Sequence, residues 1–243
     1  MRSRNRHFNP KDAGADLVLD ARYINQSDNT AVSSWADRSG NAYNAAQSTA
    51  LNQPTFRTGQ QGGNGGVDFD GSNDFMTGTY NPTAVPRTVH VTFKVDQTAS
   101  TNTFLQFPQQ VNSQTGAGWL ARFGQFSGNW NISGDATATN QTLASAPSNA
   151  TNPIIGSWSS DSSRNVSFFR DGTSLSINGN PPNAVSGGTA GYSIGRLNAT
   201  LFIGQYMDGR IFSIHVWTGE QIATPIRKRC EHASAFSFKI ACN

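Results

Sequence analysis

The sequence predicts an all-β protein, a two-sheet antiparallel β-sandwich with a short C-terminal helix. Three observations carry this expectation. Apolar residues recur with period two along several short segments, an Asp-Gly pair sits between two such segments, and Gly, Ser, Thr, Asn and Gln fill what hydrophobic (36%) and charged (14%) residues leave of the 243 positions. The last group favours turns and polar-faced strands over helices, which excludes a helical bundle. Fifteen Phe, five Trp and five Tyr supply enough large apolar surface for a core, so general disorder is excluded as well.

The clearest alternation runs from Arg87 to Val95, with Val89, Val91, Phe93 and Val95 on one face and Thr88, His90, Thr92 and Lys94 on the other. Ile211 to Trp217 repeats it, setting Phe212, Ile214 and Val216 against Ser213, His215 and Trp217. Val89, Val91, Phe93, Phe212, Ile214 and Val216 are therefore expected in the core. Val166 to Phe169 and Ser174 to Ile177 flank Arg170-Asp171-Gly172-Thr173, whose Asp-Gly supplies the positive φ of a tight hairpin. Further strands are expected at Leu17 to Ala21, Gly66 to Phe69, Phe104 to Phe107, Trp119 to Phe123, Trp130 to Ile132, Ile154 to Ser157, Tyr192 to Ile194 and Leu201 to Ile203. Their spacing, with Gly and Asn between them, is that of a sandwich. Gly59 to Gly66 and Ala136 to Asn152 read as long polar loops. The one helix is C-terminal: Thr224 can cap it and Pro225 suits its first position, ahead of Ile226 to Ala233.

One domain accommodates this length. Its expected parts are a basic N-terminal arm (1–12), the sandwich (13–220), and a C-terminal helix and tail packed on the sandwich (221–243). No apolar run approaches the roughly 20 residues of a membrane span. Met1 to Pro10 is basic but lacks the apolar stretch and cleavage site of a secretory signal, so the chain is read as not addressed for export. Arg2, Arg4 and Arg6 could anchor the body to an acidic surface. Neither basic end interleaves aromatics with Arg as a single-strand nucleic-acid surface does, and no sequence-specific nucleic-acid partner is expected. Cys230 and Cys242 close a short loop and are candidates for a disulfide; with four scattered histidines they show no zinc-ligand spacing.

Catalytic motifs thin out on inspection. Gly191-Tyr192-Ser193-Ile194-Gly195 matches G-x-S-x-G, with Asp208 and His215 following in hydrolase order, but a nucleophile elbow needs a helix after the Ser, and here another short strand follows. Glycosidases need two carboxylates at a set separation. Asp68 and Asp70, two apart on one strand, form the remaining candidate pair. The stretch Val67 to Asp74 fails the EF-hand template, yet Asp70, Asn73 and Asp74 with loop carbonyls offer oxygen ligands for calcium. Trp119 and Trp130 are candidate platforms for stacking on a glycan.

Trp35-Ala36-Asp37-Arg38-Ser39-Gly40-Asn41, then Asn44-Ala45-Ala46-Gln47, Gln53-Pro54 and Val67-Asp68-Phe69-Asp70-Gly71-Ser72-Asn73-Asp74, resembles the N-terminal signature of concanavalin A-like, LamG-type jelly-roll domains. Phe168-Phe169-Arg170-Asp171-Gly172, Ser193-Ile194-Gly195-Arg196, Phe202-Ile203-Gly204 and Asp208-Gly209-Arg210-Ile211 look like the C-terminal half of the same family. The resemblance implies a jelly roll over nearly the whole chain and adds Asp37 to the candidate calcium ligands, calcium being the one cofactor it implies.

Domains of this kind occur in glycan-binding modules, glycosidases, bacterial surface proteins and bacteriophage virion proteins. With no intact catalytic motif, a non-enzymatic role is expected. A Met1 start, a single domain and basic ends suit a bacteriophage virion protein, a capsid decoration or fibre protein assembled in the host cytoplasm. Its expected partners are other virion proteins of capsid or tail, copies of itself in a homo-oligomer, and a host surface glycan. The alternative is a secreted, extracellular carbohydrate-binding module, and less so a glycosidase.

Overall fold

In a computed structural model the described residues are 10–80, 87–96, 102–107, 119–123, 130–133, 141–144, 152–161, 163, 166–175, 177–178, 191–196, 206–218, 227–228 and 234. In chain order the strands are β1 (Leu17–Asp20), β2 (Thr30–Ala31), β3 (Ser34–Trp35), β4 (Ala45–Ala46), β5 (Thr55–Arg57), β6 (Gly66–Asp70), β7 (Met76–Gly78), β8 (Arg87–Val95) and β9 (Asn102–Phe107). They continue with β10 (Trp119–Phe123), β11 (Trp130–Ser133), β12 (Gln141–Ala144), β13 (Ile154–Ser160), β14 (Val166–Arg170), β15 (Thr173–Leu175), β16 (Ile177–Asn178), β17 (Tyr192–Ile194) and β18 (Asp208–Thr218).

They form two antiparallel sheets. One runs β15-β14-β13-β8-β18-β6-β5-β2, with β1 also paired to β18, and the other runs β16-β12-β11-β10-β9-β17-β7-β4-β3. Between the sheets lies the core. From the first sheet come Leu17, Leu19, Val89, Val91, Phe93, Trp158, Phe168, Ile211, Ile214 and Val216; the second contributes Trp35, Ala45, Met76, Leu105, Tyr192 and Ile194. The long strand β8 organises this arrangement. Its β-branched alternation fits a pleated surface buried on one side, and it pairs with β13 and β18 along most of its length.

The expected Asp-Gly hairpin joins β14 to β15, with Arg170 opposite Thr173. Asp171 (φ 48°) and Gly172 (φ 86°) both take the left-handed conformation such a two-residue loop demands. Asp171 also fastens the turn to β13, its carboxylate accepting from the Ile155 N–H at 2.8 Å. Arg227 and Lys228 are helical, within the segment expected to be a helix, and so is Ser234, one residue past it.

Three expectations need correction. Phe212 is fully buried but stands outside the main core cluster: the register against β8 shifts between Ile211 and Ser213, so Ile211 lies opposite Phe93 and Phe212 is the extra residue of a β-bulge. Gln141–Ala144, expected inside a loop, forms a strand between β11 and β16. The short strands β2 to β5 and β7 were not foreseen from the sequence. Finally, the polar face of β8 and β18 is not solvated. Thr88, His90, Thr92, Ser213, His215 and Trp217 are all buried, as are Ser157 and Ser159 of β13. Leu201 to Ile203 lies outside the described residues.

Candidate functional site

The signature segment around Asp37 is a folding device. Asp37 Oδ1 accepts from the backbone N–H of Val18 (2.9 Å) and Ser39 (2.8 Å), while Oδ2 accepts from Ser39 Oγ (2.7 Å) and the Tyr43 N–H (3.0 Å). A carboxylate accepting four bonds ties the β3–β4 connection to β1. Asn41 adds a donor bond to the Asp16 carbonyl at 2.9 Å.

Asp70, Asn73 and Asp74 meet in a single turn after β6. Asp70 Oδ1 accepts from the N–H groups of Ser72 (2.9 Å), Asn73 (3.1 Å) and Asp74 (3.3 Å), and Asp74 Oδ2 accepts from the Asp70 N–H at 3.1 Å. Gly71 is required there: at φ 75°, a Cβ would sit 2.8 Å from the Asp208 Cβ. Burial, then the negative charges of Asp70 and Asp68, push the Asp74 carboxyl up to about 7. Asp37 belongs to a different connection, and among the described residues no three acidic or imidazole groups converge on a metal-sized site.

Asp68 and Asp70 do share the face of β6 turned from the core, as expected, but Asp68 is committed to two arginines. Arg210 holds it at 2.8 Å and Arg57 at 3.4 Å. The G-x-S-x-G serine is buried in β17, paired on both sides, and Ser193 Oγ donates to the Arg196 carbonyl at 3.4 Å. Neither ring nitrogen of His215 has a hydrogen-bond partner, so Ser193, Asp208 and His215 form no relay.

The buried outer face of the first sheet carries a second set of groups. His90 Nδ1 lies 3.0 Å from Ser157 Oγ and its Nε2 lies 2.9 Å from Ser234 Oγ, on the C-terminal segment. The His90 and His215 rings stack in parallel with centroids 5.4 Å apart, and Trp217 meets His215 edge-on. Arg227 lies 3.5 Å over the Phe169 ring. Burial, reinforced for His90 by His215 and Arg227, drives the His90 ring well below its ordinary range. Burial first, and then Arg22, pushes His215 down to about 3. These imidazoles are neutral packing groups.

A third cluster lies on the surface where the chain leaves β1. Asp20 caps the 3-10 turn Ala21–Tyr23, accepting from the Arg22 N–H at 3.0 Å and from the Arg22 guanidinium. Ala21 is buried and Tyr23 projects outward, 58% exposed. Arg38 lies 4.7 Å over the Tyr23 ring and Arg22 lies 5.8 Å from its centroid. Sequence reasoning did not single out Tyr23 or Arg22, and treated Arg38 only as part of the signature. The available signal was an aromatic placed two residues past a buried strand.

Trp119 and Trp130 open the neighbouring antiparallel strands β10 and β11 and so stand at opposite ends of that ladder; their side chains lie outside the described residues. Arg2, Arg4, Arg6, Cys230 and Cys242 also lie outside them.

No family model matches the chain, and no curated protein matches it. Solved structures share its fold. The CBM40 of Ruminococcus gnavus IT-sialidase, bound to α2,3-sialyllactose, is 9% identical, over 61% of this chain and 83% of that chain, with a TM-score of 0.50. Trypanosoma rangeli sialidase in complex with sialic acid is 14% identical over 93% of this chain and 34% of that one, with a TM-score of 0.62. The receptor-binding domain of botulinum neurotoxin D is 10% identical over 93% of this chain and 54% of that one, with a TM-score of 0.61. The chain thus spans about a third of the sialidase and about half of the toxin domain.

Proposed function

We propose that the protein is a non-catalytic carbohydrate-binding module. The observation carrying this reading is the overlap with CBM40, a binding module of which 83% is matched over 61% of this chain. The disposition of the carboxylates supports it. Asp37 and Asp70 build turns, and Asp68 is held between arginines. Asp37 and Asp68 are thus committed to structural partners and do not serve as the acid and nucleophile that glycoside hydrolysis requires. A jelly roll of this kind supplies a rigid scaffold on which surface groups are displayed, and function resides in those groups.

The test is a glycan array followed by titration calorimetry, with polysaccharide hydrolysis assayed in parallel. Saturable binding without reducing-end release is the expected result. Reproducible cleavage that Asp70→Asn abolishes would overturn the non-catalytic reading. An extracellular setting accords with a carbohydrate-binding module. The virion location inferred from the sequence is a separate proposal: it draws no support from the fold, and imaging of assembled particles tests it. Calcium likewise is a proposal confined to the Asp70, Asn73 and Asp74 turn, tested by a melting-temperature shift on adding calcium or a chelator.

A further inference from the structure

We infer that Tyr23, Arg22 and Arg38 form a site for a glycan bearing a carboxylate, a sialic or uronic acid residue; this rests on the carbohydrate-binding reading and gives it a place and a ligand class. Folding buries large rings, and among the described residues only Tyr23 and Leu51 are exposed large hydrophobic side chains. Tyr23 is also held in place. Asp20 caps its turn and pins Arg22, Ala21 packs inward, and the ring is left standing out from the end of β1. An aromatic ring fixed in this way offers a flat apolar surface to the C–H face of a sugar at little entropic cost.

The charge beside the ring selects the sugar. Arg22 is neutralised by Asp20. Arg38 is exposed and has no acidic partner among the described residues. Its sequence neighbour Asp37 does not serve, because that carboxylate turns inward to Val18, Ser39 and Tyr43. The Arg38 guanidinium therefore lies 4.7 Å over the Tyr23 ring with a full positive charge uncompensated. A cation held over a ring face keeps its N–H edges available, and the planar fork of arginine matches a carboxylate in two parallel hydrogen bonds. An exposed aromatic ring with an uncompensated guanidinium over it fits a pyranose that carries its own carboxylate. A neutral sugar would leave the guanidinium unused.

The test is titration calorimetry of the full chain with 3′-sialyllactose, a glucuronate-terminated oligosaccharide, lactose and inorganic sulfate, alongside a broad glycan array. The expected result is binding of an acidic oligosaccharide about tenfold or more tighter than lactose. Tyr23→Ala and Arg38→Gln should each weaken it at least about tenfold, with melting temperatures unchanged because both side chains are exposed. Arg38→Lys should retain part of the affinity. If the protein binds glycans on the array but both variants bind as the wild type does, this site is overturned while the carbohydrate-binding reading stands. Equal affinity for lactose and its acidic counterpart overturns the ligand class. Sulfate competing as strongly as the oligosaccharide reduces the site to a general anion site and overturns it. No binding across the array overturns both this inference and the reading beneath it.

Discussion

Lowering the pH from 7 to 5 will destabilise the protein through His215, and replacing that residue with Phe will remove its share while that of the buried His90 remains. The ring is buried in the outer face of the first sheet, stacked on His90, with no hydrogen-bond partner for either nitrogen. Burial pushes its folded-state pKa down to about 3, whereas an unfolded histidine titrates near 6.5. As the pH falls below 6.5 the unfolded chain takes up a proton that the folded chain refuses, so stability declines until the pH reaches the folded value. At pH 5 the gap spans about 1.5 pH units, and at about 1.36 kcal/mol per unit His215 alone contributes a loss of about 2 kcal/mol. For a domain of this size that is roughly 4–8 °C in melting temperature. Asp74 works in the opposite direction over part of the same range, so the wild-type profile alone is a composite; the difference between wild type and His215→Phe cancels it. Phe retains the packing against His90 and Trp217 and removes two unsatisfied nitrogens, so stability at pH 7 should hold or rise. Urea unfolding followed by tryptophan fluorescence at pH 7, 6 and 5 measures both proteins, with His215→Leu as a check against overpacking. If wild type and both variants lose the same free energy between pH 7 and 5, the burial argument is wrong.

Asp74→Asn should flatten a different part of the profile. The folded pKa of Asp74 is raised to about 7, so the stability it contributes is complete below the unfolded value and is lost as pH rises to about 7; wild type minus variant should therefore fall between pH 4 and 7 and be level above it in urea melts. Asp37→Ala removes the acceptor of four hydrogen bonds, three of them from backbone N–H groups, and should cost on the order of 3 kcal/mol in chemical unfolding. Gly209→Ala places a Cβ 2.3 Å from the Lys94 carbonyl oxygen at φ 147° and should cost about 3 kcal/mol or more by thermal melting. Gly63→Ala, with φ 82° but open space around it, should cost only about 1–2 kcal/mol.

Period-two patterning is a local property of the chain, and that is why β1, β8, β10, β17 and the β14–β15 hairpin were legible in the sequence. Apolar positions recur along each in the sequence, and Asp171-Gly172 is one of the few pairs that close so tight a loop without strain. The sandwich followed, since several half-apolar strands with few helices to cover them bury their faces by packing sheet on sheet. Strands of two or three residues, such as Thr30–Ala31 and Ala45–Ala46, carry no measurable period; they exist because a neighbour across the sheet completes their hydrogen bonds. The bulge at Phe212 was hidden for the same reason, since only the register against β8 shows that one residue is extra. The fate of the polar face was also non-local. Thr88, His90 and His215 alternate as solvent-facing residues do, but His90 is met by Ser234 and the Trp217 indole donates to the Ala13 carbonyl, from opposite ends of the chain. The candidate site divides along this line. Asp70 and Asp74 stood out in the densest acidic stretch and Asp37 through the resemblance, and all three proved to be hydrogen-bonded into turns, because a carboxylate in sequence does not reveal which donors surround it. Tyr23 and Arg38, fifteen residues apart, carry no shared pattern; the bridge between Leu19 and Asp37 brings their segments side by side, and only folding could place a cation over that ring.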